Sequence, residues 1–221
     1  MASMVTRSRE SERRRVDPVA GPKLRLRPLL AVAAVAVASY VLGGLTSPAQ
    51  KYLPEQISSF ANSSSGWTML TFLLIWLSRL RPLWAAFGGA LSFVVMVDGY
   101  RIVSEWRGYV YGAPFQDFFT FVGIVIGPVI GASAALVRYG SPTWKALAIV
   151  PLTSVLIGEG IYGLTVVGDT TSPVYWSLII VAGIAATVIH LVTQHSGRRL
   201  TQLVSGLTLV GSAAFWIGYQ L

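Results

Sequence analysis

The apolar residues of this chain gather into seven blocks, residues 29–45, 62–80, 83–102, 117–137, 146–168, 174–193 and 200–219, each near the ~20 residues with which a helix crosses a bilayer. Hydrocarbon offers no partner to a backbone amide, so a spanning segment must satisfy its own N–H and C=O groups and becomes helical. With 53% hydrophobic and only 12% charged residues, the chain reads as all-α: a polytopic membrane bundle of seven transmembrane helices. The second block reaches spanning length only by taking in residues 62–66, so a partly unwound or interfacial start is expected there. Residues 1–28 are expected to form a disordered basic cytoplasmic tail, and residues 29–221 a single transmembrane domain.

The net charge of +8 raises the possibility of a nucleic-acid partner, but the placement of the cations argues for topology instead. Eight of the 17 Lys and Arg residues precede the first block. With that end inside, Arg79, Arg81, Arg138, Lys145, Arg198 and Arg199 also fall inside, and only Lys51, Arg101 and Arg107 fall outside. This is the positive-inside bias. It predicts an N-inside, C-outside multipass protein of the plasma (inner) membrane whose macromolecular partner is the lipid bilayer, not nucleic acid. Ser47-Pro48-Ala49 before Gln50 loosely resembles a signal cleavage site, but a 28-residue charged leader and the proline argue for retention of the first span. The absence of cysteine excludes disulfides and thiolate chemistry. His190 and His195, five apart, share no helical face well and read as interfacial ends rather than a metal site. No metal and no cofactor is expected.

Two of the blocks share a pattern. Pro82-Leu83-Trp84 opens the third and Pro142-Thr143-Trp144 the fifth; Asp98-Gly99-Tyr100 follows in one, and Glu159-Gly160-Ile161-Tyr162 in the other. The pattern suggests one leading helix followed by three related hairpins, although Gly, Tyr and Trp are also common in membrane helices and at their edges. At 1.5 Å per residue each acid lies about 25 Å along its helix, in the outer half of the bilayer core. A shared cavity opening outward is the expectation. Gly88, Gly89, Gly158 and Gly163, with Gly99 and Gly160 beside the acids, allow close helix packing or leave room for a ligand.

An ionisable residue inside a span is costly unless it works or is paired. Glu159 has no charged neighbour in sequence, so it is expected to hold a proton and donate it. Asp98, Arg101 and Glu105 can form a ladder on one helical face, which would keep Asp98 ionised or merely neutralise it. Two acids in different states are the arrangement that assigns acid and base roles. Of the many aromatics between the third and fourth blocks, most read as an interfacial belt; Tyr100, Tyr162, Trp106 and Phe118, with Arg101, are the candidates for substrate contact, since aromatic faces attract cations. Asp117 suits a helix N-terminus.

No phosphate loop, hydrolase triad order, zinc motif or acidic diphosphate-ionising cluster is present. In size, seven-helix layout and two intramembrane acids the chain resembles the small integral-membrane terpene cyclases of meroterpenoid and indole-terpenoid pathways. The likeness is one of architecture over the whole chain, without a diagnostic motif. It implies an acid-initiated cyclase that protonates the olefin or epoxide of an apolar prenylated small molecule, with Glu159 and Asp98 catalytic and no redox or metal chemistry. The competing reading is a proton-coupled small-solute transporter, or a substrate-binding component of an importer docking a partner through Ala34-x-x-x-Ala38. A third is a non-catalytic assembly factor with Asp98 and Arg101 as structural glue. The chain is also similar to small multipass membrane proteins of actinobacteria, a likeness that implies no activity.

Overall fold

The computed structural model describes residues 26–113 and 115–220, and among these there are helices and turns but no strand. The helices are α1 (Leu26–Tyr52), α2 (Glu55–Ser58), α3 (Ser64–Ser78), α4 (Pro82–Trp106), α5 (Phe118–Tyr139), α6 (Pro142–Leu147), α7 (Val150–Thr165), α8 (Pro173–Thr193) and α9 (Arg198–Gly218), with a 3-10 turn at Ser59–Asn62. Among the described residues six segments are long and apolar enough to cross a membrane: α1, α4, α5, the α6–α7 pair, α8 and α9. The second apolar block forms only α3, which at 15 residues is about 22 Å long, shorter than a hydrocarbon core. Of the expected tail, residues 1–25 lie outside the described residues, and residues 26–28 already belong to α1.

Local chemistry sets the boundaries. Pro82, Pro142 and Pro173 stand at the first position of α4, α6 and α8, where a missing N–H costs nothing and the fixed φ suits a helix. Asp117 caps α5 by accepting from the Thr120 backbone N–H at 2.9 Å. Helix α3 ends where Arg79 turns left-handed at φ 56°. Pro151 explains the division of the fifth span: its ring lacks a donor and crowds the carbonyl four residues earlier, at Leu147, which is where α6 stops. The carbonyl of Lys145, in the last turn of α6, accepts from the Ala148 N–H at 3.2 Å and also from Nε2 of His190 on α8 at 2.7 Å. His190 is therefore buried against the break, not displayed as an interfacial end.

The bundle divides into two groups of three. Helix α4 packs along both α1 and α5, and α7, with α6, packs along both α8 and α9. Each group is centred on one of the two Pro-x-Trp helices. This corrects the expected arrangement of a leading helix plus three hairpins: α1 is not a solitary leader, and α8 and α9 are joined by a short turn but each packs mainly on α7. The reason is backbone proximity at small residues. A methyl group at Gly43 would overlap the Met96 carbonyl, and one at Gly131 would overlap the Ala85 carbonyl, so α4 accepts a close neighbour on two sides. Of the two uses expected of the glycines, close packing is the one seen, with Gly89 against the Gly127 carbonyl and Gly99 against that of Tyr40. Buried hydroxyls link the first group to α3, with Ser39 and Ser92 2.7 Å apart and Thr71 3.1 Å from Ser92.

Helix α3 stands between the groups, touching α1, α4 and α5 on one side and α7 on the other. Phe72, on α3, packs against the apolar cores of both.

Candidate functional site

The start of α3 is built by the run Ser63-Ser64-Ser65-Gly66. Ser63 is extended, at φ −123° and ψ 145°, and its hydroxyl accepts from the Gly66 N–H at 3.0 Å. That leaves the N–H groups of Ser64 and Ser65 pointing out of the helix end without a partner of their own. Glu159 supplies both. Its Oε1 accepts from Ser64 N at 2.7 Å and its Oε2 from Ser65 N at 2.5 Å. The residue is 2% exposed.

The sequence around Glu159 explains why it can reach α3. Gly158 lies against Ser212 and Phe215 of α9, and Gly160 against Trp176 and Ile180 of α8. Three consecutive residues thus face three neighbouring helices, and only the middle one has a side chain. The partial positive charge of a helix N-terminus, with its aligned N–H groups, would compensate the charged form of a membrane-buried carboxyl group in place of a cation. Among the described residues the ion pairs are those of Arg101, so no Lys or Arg serves Glu159.

Hydroxyls surround the contact. Tyr175 Oη lies 2.6 Å from Ser63 Oγ and 2.9 Å from Ser65 Oγ, and Tyr219 Oη lies 2.8 Å from Ser64 Oγ. The ring of Tyr162 meets that of Tyr219 edge-on at 4.9 Å, and Phe215 stacks on its other side.

The second acid has a different setting. Helix α4 continues past Ile102, and the expected ladder forms: Asp98 Oδ1 accepts from Nε of Arg101 at 3.2 Å and from Nη2 at 3.0 Å, while Glu105 Oε1 accepts from Nη1 at 2.6 Å. Asp98 is only partly buried. It shares no hydrogen-bond partner with Glu159, and α4 and α7 do not pack extensively on each other. The hollow between α5 and the α6–α7 pair and the one on the outer face of α8 are lined by neither acid. The expectation of one cavity holding both is corrected, because each carboxylate is spent on its own neighbours.

The two related motifs nevertheless meet the same helix end. Tyr100, from the Asp98 motif, places its ring against Trp67 of α3 at 5.8 Å, while Glu159 holds Ser64 and Ser65 one turn earlier. The Tyr100 hydroxyl accepts from Gln50 Nε2 at 3.0 Å and from the Tyr111 hydroxyl at 2.9 Å. Burial and the bond to Tyr100 push the Tyr111 phenol up to about 12. Trp106 and Phe118 do not join this cluster; they are 82% and 70% exposed at the ends of α4 and α5. They belong to the aromatic edge, where a ring with one wet side is stable. Among the described residues no group of three or more His, Asp and Glu side chains is arranged to hold a metal.

Sequence reasoning missed Ser63, Ser64, Ser65 and Tyr175. The triple serine and glycine before an apolar run were a helix-start signal, read only as a weak start to a span.

A family model described as a family of unknown function (DUF6518) matches residues 22–221. No curated protein and no solved structure matches the chain significantly.

Proposed function

Because the chain belongs to that family of unknown function, we propose a role from its own residues: a multipass membrane protein that moves a small solute in exchange for, or together with, a proton. The observation carrying the proposal is the contact of Glu159 with the start of α3, since it ties one three-helix group to the helix that also packs on the other. Protonation of Glu159 removes the charge and turns charge-assisted hydrogen bonds, about 1.5–3 kcal/mol each, into ordinary intramembrane ones near ~0.6 kcal/mol. Over two bonds the difference is about 2–5 kcal/mol, which shifts a two-state equilibrium by roughly thirtyfold to several thousandfold. Proton entry is thereby coupled to release of the two groups from each other, the rocking motion on which alternating access rests.

The proposal includes seven crossings with the N-terminus inside. Helix α3, together with the stretch from Glu55 to Asn62 that leads the chain into the bundle, makes the seventh. Its start is bonded to Glu159, six residues before the end of α7, about 9 Å below that end. A start submerged in this way accounts for a crossing helix of only 15 residues. The cation-rich ends at Arg79, Arg81, Arg138, Lys145, Arg198 and Arg199 support the orientation.

The test is reconstitution in vesicles with a trapped pH-sensitive dye and a panel of small cationic, anionic and neutral solutes. Solute-dependent proton movement, lost in Glu159→Gln, supports transport. Cyclised isomers of a prenylated phenol or indole at unchanged mass, with no proton movement for any solute, would overturn it and favour the cyclase.

A further inference from the structure

The break at Pro151 leaves a groove of about 400 Å³ between α5 and the α6–α7 pair, lined by Pro128, Ala132, Leu136, Trp144, Leu147 and Pro151 among others. Its walls are almost wholly apolar, and it is open along one side. From Pro128 to Leu136 the α5 wall is about 12 Å long, most of the ~15 Å thickness of one hydrocarbon leaflet. The groove runs from mid-bundle toward the α5–α6 turn, where Arg138 and Lys145 flank Gly140 and Ser141.

That end of the bundle has one sign of charge. The alternation of helix direction brings Arg79 and Arg81, Arg138 and Lys145, and Arg198 and Arg199 to it, and α9, which opens with the last pair, packs against α6. Every described acid, Glu55, Asp98, Glu105, Asp117, Glu159 and Asp169, lies toward the other end. Lys145 forms no ion pair with the described residues and follows Trp144, which lines the groove mouth.

The geometry points to a bound anionic phospholipid, with one acyl chain in the groove between α5 and α6–α7 and its phosphate against Lys145. An apolar slot of leaflet depth selects a chain, and the cations gathered at this end of the bundle, with no described carboxylate among them, select a negative headgroup over a zwitterionic one. The ligand differs from any solute carried through the bundle, because the groove faces outward from α5 and α6–α7 and is lined by neither Glu159 nor Asp98. This site therefore stands independently of the transport proposal.

Purified full-length protein in detergent is titrated with phosphatidylglycerol, phosphatidylcholine of the same chains, or glycerol phosphate, and bound lipid is counted by native mass spectrometry. Retention of phosphatidylglycerol alone is the expected result. Lys145→Gln weakens it about fivefold, the worth of one cation near an anionic headgroup. Ala132→Phe, which fills the groove, weakens it at least as much, and Ala132→Leu serves if the larger residue lowers the yield of folded protein. Equal retention of both lipids, or binding of glycerol phosphate alone as strong as that of the lipid, overturns the proposal. So does a phosphatidylglycerol preference that survives filling of the groove, since the lipid is then held by surface charge only.

Discussion

Replacing Glu159 by glutamine tests the central contact with a change of one atom. The glutamine carbonyl can accept from Ser64 N or from Ser65 N, but not from both, because the other position now presents an NH2 group to an N–H. One buried backbone donor is left unsatisfied, at a cost of about 1–3 kcal/mol, and the attraction between a carboxylate and the start of α3, typically ~0.3–1 and up to ~2 kcal/mol in buried geometries, is lost as well. Removal of a buried charge offsets part of this, since desolvation no longer opposes folding. The net expectation is a loss of roughly 2 kcal/mol, on the order of 4–8 °C in Tm for a chain of this size. Fluorescence-detected size exclusion after heating in detergent reads that shift. The alternative is specific: were Glu159 held neutral, glutamine would replace a neutral acceptor, and the loss would be near the ~0.6 kcal/mol of an ordinary intramembrane hydrogen bond. A Glu159→Gln protein within ~0.6 kcal/mol of the native one at neutral pH would refute the charged latch, and with it the proton coupling built on it.

Other outcomes follow from the same geometry. Ser63→Ala removes the cap of α3 and is expected to cost about 1 kcal/mol, read as a lower Tm, while Tyr175 keeps its contact with Ser65 at 2.9 Å. Gly131→Ala forces a methyl into the Ala85 carbonyl and separates α4 from α5, at roughly 1–3 kcal/mol, whereas Gly206→Ala, with nothing within 4 Å, is expected to be neutral or to stabilise by up to ~1 kcal/mol; equal Tm values for the two variants would contradict the close packing described for α5. The raised Tyr111 phenol favours the protonated form in the folded state, so its contribution is intact below pH ~10, where a free tyrosine titrates, and is lost as pH rises toward about 12. Absorbance at the phenolate band should show late-titrating tyrosines, one fewer of them in Tyr111→Phe.

Much of this molecule was legible in the sequence because the relevant forces are local or periodic. Block length and hydropathy determine that the chain is helical and membrane-spanning, since lipid forbids unsatisfied backbone. Pro82 and Pro142 mark the starts of α4 and α6, and the spacing of Asp98, Arg101 and Glu105 determines their ladder, because residues three and four apart on a helix are neighbours. The weak second block was a correct sign of a short helix. The partners of Glu159 were not legible: Ser64 and Ser65 lie 95 and 94 residues away in sequence, and a backbone N–H is carried by nearly every residue, so nothing in its identity announces it. Nor could spacing tell whether two acids at equal depth share a cavity, since that depends on which way each helix is rotated. Tertiary structure decided it through Gly158 and Gly160, whose missing side chains let α9 and α8 close on α7 and leave Glu159 facing the start of α3, where it takes up the N–H groups of Ser64 and Ser65.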